Sequence, residues 1–209
     1  MNETPAEHTE HYFSAHPAGE FTSTEHTVAL AGKDYVIETA GSVFSPDHID
    51  GGTEALLRAV DVLPASGNFL DIGCGWGPIA LSMALESPDG DVFAVDVNER
   101  ALELTRRNAA RVGASNVVVA RPNEVPASLR FDTIWSNPPI RAGKAELHAI
   151  MHTWIPRLKP GGQAWLVIAK HLGADSFEKW LRSEFAGTHT VERADQHKGF
   201  RVLRVTRHS

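Results

Sequence analysis

The sequence predicts a doubly wound α/β fold around a mostly parallel seven-stranded sheet with an antiparallel C-terminal strand. From residue 67 onward, short apolar runs alternate with amphipathic segments, the order expected of βαβ units. Runs such as residues 92–95 and 165–168 are apolar throughout, which is typical of strands covered by helices on both faces. The chain has 209 residues, of which 42% are hydrophobic and 22% charged, so it can bury a core of ordinary size.

The amino-terminal part of the chain is expected to add a small β-hairpin to this sheet. Residues 1–19 are polar and rich in small residues, which predicts a flexible tail, and residues 20–209 are expected to form a single domain. Residues 24–39 alternate with a period of two around a central glycine, which predicts the hairpin. Helical spacing over residues 53–62 predicts a helix with Thr53 as its N-cap.

The remaining elements follow from the alternation of patterns along the chain. Five strands of the parallel sheet are predicted at 68–72, 92–97, 116–120, 131–136 and 163–169. Four helices are predicted at 78–86, 98–112, 144–158 and 175–186. Two final strands, 188–194 and 200–206, are joined by a short loop with Gly199 and should form an antiparallel pair at one edge.

Composition also limits the compartment and the class of protein. The single cysteine excludes an internal disulfide and fits a reducing compartment. The first residues lack the pattern of a signal peptide, and no apolar run approaches the roughly 18 residues of a membrane span. We therefore expect a cytoplasmic protein that makes no membrane contact, and no residue spacing predicts a metal site.

Charge is distributed unevenly between the two halves of the chain. The net charge is −6, but residues 1–100 carry 17 acidic and 3 basic residues, whereas residues 101–209 carry 9 acidic and 17 basic ones. An acidic protein is a poor candidate for nucleic-acid binding, but a basic half can bind phosphates because such binding depends on the local field. The alternative, that the charges are simply spread over a solvated surface, remains open.

A glycine-rich motif, Leu70 to Pro78, follows a predicted strand and opens a predicted helix. Gly73, Gly75 and Gly77 allow a tight turn and a close backbone approach to a ligand. Pro78 stands where a dinucleotide fingerprint needs its third glycine, which argues against a nicotinamide oxidoreductase. Asp71 would repel a pyrophosphate but can bind an ammonium group. S-adenosylmethionine has an ammonium group and no phosphate, so the motif favours this cofactor.

A second acidic residue is expected to complete the cofactor site. Asp96 ends the second strand of the unit, 25 residues after Asp71. A carboxylate at this place can accept hydrogen bonds from both ribose hydroxyls of a nucleoside. The alternative is a capping role for the helix that begins near Asn98.

The sequence Asn137-Pro138-Pro139 follows the strand 131–136, at the edge where ligands bind in such sheets. An amide or exocyclic amine is a poor nucleophile because its lone pair is delocalised. The side-chain oxygen of Asn137 and the carbonyl of Pro138 can accept its two N–H hydrogens, so that the lone pair points at a methyl donor. Two prolines restrict the backbone and pre-organise this arrangement. The motif predicts methylation of a nitrogen.

These motifs together resemble the "methyltransferase small" domain family of class I methyltransferases. The likeness is greatest to the catalytic half of the small-subunit ribosomal RNA guanine-N2 methyltransferases and their archaeal relatives, and it runs from about residue 20 to the end. The stretches that carry it are 43–45, 50–57, 71–77, 96, 136–139 and 198–202. The resemblance implies a Rossmann-like fold, S-adenosylmethionine as the cofactor, and RNA or the small ribosomal subunit as the partner.

The sequence departs from the family pattern at three places. Ile140 stands where many relatives have an aromatic residue that can stack on the target. The third strand often ends in an acidic residue that meets the adenine amine, and here Asn123 is the candidate substitute. The ribosomal RNA enzymes also carry an extra non-catalytic amino-terminal domain, which this sequence does not contain.

Substrate contacts are expected at the same edge of the sheet. The candidates are Phe44, Ile140, Arg141, Lys144 and Lys170. His171, Lys198 and Arg201 are further candidates for contacts with RNA phosphates, although each of the basic residues can equally be ordinary surface charge.

The sequence thus predicts an S-adenosylmethionine-dependent N-methyltransferase, with N2 of a guanine in ribosomal RNA as the favoured target. The same geometry serves a carboxamide, so a protein glutamine or a small molecule is an alternative substrate. An alternative of another class is a cofactor-binding interaction protein without catalysis. The intact Asn137-Pro138-Pro139 motif argues against that alternative.

Overall fold

The computed structural model describes residues 22–41 and 49–209. The predicted tail at residues 1–19 and the candidate Phe44 lie outside these residues. The predicted hairpin is confirmed: β1 (Ser23–Leu30) pairs with β2 (Lys33–Ala40) in antiparallel register. It forms a two-stranded sheet of its own.

The main sheet has seven strands and confirms the predicted fold class. Its strands are β3 (Asn68–Ile72), β4 (Asp91–Val95), β5 (Val117–Ala120), β6 (Phe131–Ser136), β7 (Leu158–Ala169), β8 (His189–His197) and β9 (Phe200–Arg207). Their order across the sheet is β5-β4-β3-β6-β7-β9-β8. Pairing is parallel from β5 to β7, and β9 runs antiparallel to both of its neighbours. The reversal of strand order beside β3 is where ligands bind in doubly wound sheets.

Helices cover both faces of the sheet. They are α1 (Gly51–Ala59), α2 (Pro78–Glu86), α3 (Glu99–Val112), α4 (Lys144–Trp154) and α5 (Ala174–Glu184). One apolar cluster joins the hairpin and the first three helices to one face, and a second joins α4 and α5 to the other. Neighbouring residues such as Phe69 and Leu70 belong to different clusters, because successive side chains of a strand point to opposite faces. Within the described ranges, no helix combines the length and the apolar character needed to cross a membrane.

Several element ends differ from the sequence prediction, and three of the differences concern α1, α4 and β7. Helix α1 begins at Gly51, and its N-cap is Asp50 rather than Thr53, because the Asp50 carboxylate accepts the N–H of Gly52 at 2.8 Å. Helix α4 ends at Trp154, because the next residues form a 3₁₀ turn around Pro156, which has no N–H to continue the helix. Strand β7 begins at Leu158, five residues earlier than predicted, with a register irregularity against β6.

A buried asparagine ties the hairpin to the glycine-rich motif. The Asn108 side chain of α3 accepts the backbone N–H of Glu38 at 2.6 Å and donates to the Glu38 carbonyl at 2.8 Å. The same amide donates to the carbonyl of Trp76 at 2.9 Å. Arg111 adds an ion pair to the Glu38 carboxylate. Since Asn108 is inaccessible to solvent, these bonds face no competition from water.

We expect Asn108→Ala to lower the free energy of unfolding by about 2–4 kcal/mol, because three hydrogen bonds are lost and buried backbone groups are left unpaired. Urea denaturation of the variant and the wild type measures this difference. Asn123→Ala, at an exposed position, is the matched control and should change stability by no more than about 0.5 kcal/mol. Equal midpoints for Asn108→Ala and wild type would contradict the assignment.

Candidate functional site

Parallel pairing brings the predicted site residues to one edge of the sheet. Ile72, the last residue of β3, is in register with the last residues of β4 and β6. The residues that follow these three strands are Gly73, Asp96 and Asn137. The glycine-rich motif is therefore flanked by Asp96 on one side and Asn137 on the other.

The glycine-rich loop has the backbone conformation that the sequence predicts. Gly73, Gly75 and Gly77 have φ values of 76°, 59° and 98°, in the left-handed region that favours glycine. A Cβ on Gly77 would also lie 3.2 Å from the side chain of Thr105. Pro78 is the first residue of α2, as expected from its fixed φ. The loop thus needs its glycines for conformation and, at Gly77, for space.

Asp71, in β3, is a buried carboxylate with one oxygen unpaired. Its Oδ2 accepts the N–H of Ala80 at 3.0 Å, whereas Oδ1 has no hydrogen-bond partner in residues 22–41 and 49–209. Burial raises the pKa of Asp71 to about 8, against the Ala80 hydrogen bond and with a further contribution from the charge of Asp96. A buried, unpaired carboxylate oxygen beside a glycine-rich loop fits a ligand with a cationic group and not a phosphate.

Asp96 anchors the loop rather than the helix that follows it. Its Oδ2 accepts the N–H of Gly75 at 3.1 Å, and its Oδ1 accepts the N–H of Asn98 at 2.9 Å. The N-cap of α3 is Asn98, whose side chain accepts the N–H of Arg100, so the capping alternative for Asp96 is wrong. Burial raises the pKa of Asp96, and the backbone hydrogen bonds oppose that rise.

Asn137 is held by a residue that the sequence motifs did not single out. Its Nδ2 lies 3.1 and 3.0 Å from the two carboxylate oxygens of Asp50 and 3.3 Å from Oγ1 of Thr53. A carboxylate only accepts hydrogen bonds, so these contacts assign the nitrogen end of the amide. The Oδ1 of Asn137 has no hydrogen-bond partner among the described residues. Asp50 lies in the 50–57 stretch that carries the family resemblance, which was the available signal.

The two prolines shape the turn after Asn137. Pro139 has φ −73° and ψ 73°, and the N–H of Ile140 donates to the carbonyl of Pro138 at 2.8 Å, which together define an inverse γ-turn. A carbonyl has two lone pairs, so Pro138 keeps one for a substrate N–H. Ile140 packs against the apolar cluster beneath α4.

A cleft joins the glycine-rich loop to Asn137. Its lining residues come from the loop, the start of α1 and the end of β6: Asp50, Thr53, Gly73, Cys74, Gly75, Trp76, Pro78, Ile79 and Asn137. Phe200 of β9 lies close by, since a Cβ added to Gly52 would be 3.2 Å from its ring and 3.1 Å from Nδ2 of Asn137. Gly73 and Gly75 of the predicted cofactor site therefore share one surface with Asn137, whereas Asp71 and Asp96 do not line the cleft.

Three other candidates do not line this cleft. Asn123 is exposed in the 3₁₀ turn after β5, Lys144 is exposed at the start of α4, and Lys170 is exposed directly after β7. The side chain of Arg141 lies outside what the structure describes.

The interpretation of Arg201 as an RNA contact is wrong. Its side chain is buried and forms ion pairs with Asp175 and Glu178 of α5. A guanidinium that is enclosed by carboxylates inside the fold is not available to a phosphate.

The family now follows from comparison with known proteins. A model of the methyltransferase small domain matches residues 34–204. The chain belongs to this family of S-adenosylmethionine-dependent methyltransferases.

Individual relatives differ in how much of their length is matched. The uncharacterized protein YbxB of Bacillus subtilis is 35% identical over 94% of this chain and 98% of its own length. The ribosomal RNA small subunit methyltransferase C of Shewanella loihica is 32% identical over 72% of this chain, but only 48% of its own length. The chain thus spans about half of that relative.

A solved structure shares the fold. The 16S rRNA N2 methyltransferase RsmC of T. thermophilus, in complex with AdoMet and guanosine, superposes with a TM-score of 0.77 at 21% identity. The match covers 90% of this chain and 51% of that one.

We predict that Asp71→Asn reduces the pH dependence of the free energy of unfolding. Without cofactor, the folded wild type keeps a proton on Asp71 up to pH about 8, whereas an unfolded aspartate loses it near 3.8, so its stability falls between these values. The variant has no such loss. The difference between its free energy of unfolding and that of wild type should therefore rise in its favour by at least about 1.4 kcal/mol from pH 5 to pH 9. Urea denaturation at both pH values measures this.

The same variant should bind S-adenosylmethionine more weakly, because its neutral amide does not attract an ammonium group. Asp89→Asn, at an exposed position, is the matched control and should change neither property. Identical pH dependence of Asp71→Asn and wild type would overturn the assignment.

Asp96→Ala is expected to weaken cofactor binding by roughly 1.5–3 kcal/mol, because a charged acceptor and the anchor of Gly75 are lost together. Isothermal titration with S-adenosylmethionine measures the change. Asp91→Ala, exposed at the opposite end of β4, should leave affinity unaltered. If Asp96→Ala bound as tightly as wild type, the carboxylate would have no part in the site.

Proposed function

We propose that this protein is an N-methyltransferase that acts on N2 of a guanine in ribosomal RNA. The observation that carries the proposal is the fixed amide of Asn137 at the cleft shared with the glycine-rich loop. Its nitrogen is bound by Asp50, and its oxygen is left without a partner among the described residues. An acceptor held in this way suits a substrate amine.

The residues present fit S-adenosylmethionine. Asp71 offers an ammonium group a buried carboxylate oxygen that has no partner among the described residues, and the glycine-rich loop allows close backbone approach. Asp96, which binds the N–H of Gly75 in that loop, offers acceptors for ribose hydroxyls. When bound, the cofactor supplies a methyl group on a sulfonium, so the target nitrogen gains a C–N bond while the sulfur keeps the electron pair of the broken S–C bond. Asn123, next to the end of β5, remains the proposed contact for the adenine.

Asn137 and Pro138 orient the target amine. The Oδ1 of Asn137 and the free lone pair of the Pro138 carbonyl accept its two N–H hydrogens, which sets the direction of the nitrogen lone pair. The turn through Pro139 holds the two acceptors in fixed relation. No general base is needed before transfer, because the proton can leave the methylated nitrogen for water. The effect is positioning and electrostatic pre-organisation.

The relatives support RNA as the substrate. The name of the small subunit methyltransferase C relatives gives ribosomal RNA as their substrate, and the T. thermophilus RsmC structure contains guanosine. Ile140 cannot stack on a target base, but Phe200 offers an aromatic side chain near Asn137. Phe44, Arg141, Lys144 and Lys170 are the proposed substrate contacts.

One observation favours a protein or small-molecule substrate instead. Eight basic side chains of the C-terminal half form ion pairs with acidic residues: Arg107, Arg111, Arg121, Lys159, Arg182, Arg193, Arg201 and Arg204. The positive electrostatic field that could attract phosphates is therefore weaker than the number of basic residues in the sequence indicates.

Methyl transfer from labelled S-adenosylmethionine tests the function directly. The acceptor is an extract of a strain that lacks this protein, separated into RNA, protein and small molecules. Label in small-subunit ribosomal RNA is the expected result, and digestion to nucleosides should show N2-methylguanosine. Label confined to protein or small molecules would rule out RNA as the substrate. No label in any fraction would rule out methyl transfer as the activity.

We predict that Asn137→Ala lowers turnover by roughly 10²–10³, because the oriented acceptor is lost. Its affinity for S-adenosylmethionine should stay within about twofold of wild type, since the glycine-rich loop and Asp96 are intact. Single-turnover labelling and isothermal titration measure the two quantities. Turnover at the wild-type rate would remove Asn137 from the mechanism.

A further inference from the structure

Among the described residues, the Asp50 side chain forms hydrogen bonds with the first turn of α1 and with Asn137. Its Oδ1 accepts the N–H of Gly52 at 2.8 Å, and its Oδ2 accepts the hydroxyl of Thr53 at 2.7 Å. Both oxygens also accept from Nδ2 of Asn137. We infer that Asp50 is a positioning residue, which fixes the amide of Asn137 so that its oxygen, and not its nitrogen, is presented to the substrate. This inference rests on the proposed function.

The orientation matters because the two ends of an asparagine amide are nearly equal in shape but opposite in hydrogen bonding. The oxygen end accepts from an amine N–H, whereas the NH₂ end would meet that amine donor to donor. A partner that can both donate and accept would permit either orientation. A carboxylate only accepts, so Asp50 binds only the NH₂ end.

Asp50 is itself held rigidly. It caps α1, and the positive end of the helix dipole stabilises its charge. Thr53 is buried, so the hydroxyl that binds Asp50 is confined as well. A Cβ on Gly52 would lie 3.0 Å from Oδ1 of Asp50 and 3.1 Å from Nδ2 of Asn137, which accounts for the glycine at this position. The orientation is thus set before any substrate arrives.

Asp50→Asn tests the orientation at constant size. Asparagine caps helices as well as aspartate does, so the fold and α1 should be retained. The new NH₂ group donates, which favours the reversed amide of Asn137. We expect kcat to fall at least tenfold, with the Kd for S-adenosylmethionine within twofold of wild type. Asp50→Ser keeps a capping residue but not the exclusive acceptor, and should also lose at least tenfold in kcat.

Exchanging the two residues provides a rescue that a purely structural role would not give. Asn137→Asp alone places two carboxylates in contact and should lose at least 100-fold in kcat. Combined with Asp50→Asn, the new carboxylate accepts from the new amide and still presents an oxygen to the substrate. The double variant should be at least tenfold more active than Asn137→Asp alone. A double variant that is no better than Asn137→Asp would overturn the inference.

A measurement without substrate separates this inference from the proposed function. In ¹⁵N NMR spectra of the full chain, the side-chain NH₂ signal of Asn137 is identified by its loss in Asn137→Ala. It should exchange with water at least tenfold more slowly in wild type than in Asp50→Ser. Equal exchange rates would overturn the inference even if methylation is observed. Slow exchange in wild type together with an absence of methyl transfer would overturn the proposed function alone.

Discussion

The parallel pairing of β3 with β4 and β6 is the constraint on which the site depends. Parallel strands in register end at the same edge, so the residues after Ile72 meet those after its two partners. Asp96 and Asn137 reach the glycine-rich loop from opposite sides for this reason. Ser136 strengthens the junction, because its buried hydroxyl donates to the carbonyl of Ile72 at 2.7 Å. A site built from strand ends is held more rigidly than one built from long loops alone.

This arrangement places a carboxyl group where burial disfavours its charged form. Asp71 is inaccessible to solvent, and in the described part of the chain its carboxylate accepts one hydrogen bond, from Ala80. A group of this kind weakens the fold without its ligand and favours a cation that completes its hydrogen bonds. The packing around it offsets the cost: Asn108 joins the hairpin, α3 and the loop through three buried hydrogen bonds. Hydrogen bonds in one part of the fold thus compensate for an unfavourably buried group in the site.

The number of basic residues in the sequence differs from the number that are free on the protein surface. The basic half of the sequence indicates phosphate binding, but Arg201 is enclosed with Glu178 and Asp175, and Arg193 bridges the same two acids. These bonds fasten the last strands to α5 instead of facing a ligand. Lys144 and Lys170 are exposed, but neither lines the cleft. A net charge counted from the sequence therefore overstates the positive charge that a phosphate can reach.

Local patterns in the sequence determined most strands and helices and the turn at Gly73 to Pro78, because conformation at these places depends on adjacent residues. The fold class followed as well, since apolar runs alternating with helices allow few topologies, whereas the strand order came from the tertiary structure. Contacts between distant residues required the tertiary structure. Asp50 and Asn137 are 87 positions apart, and neither residue alone indicates that one orients the other. The burial of Arg201 likewise depends on how α5 packs against β9, because an arginine in an alternating strand looks the same in sequence whether it faces water or a buried carboxylate.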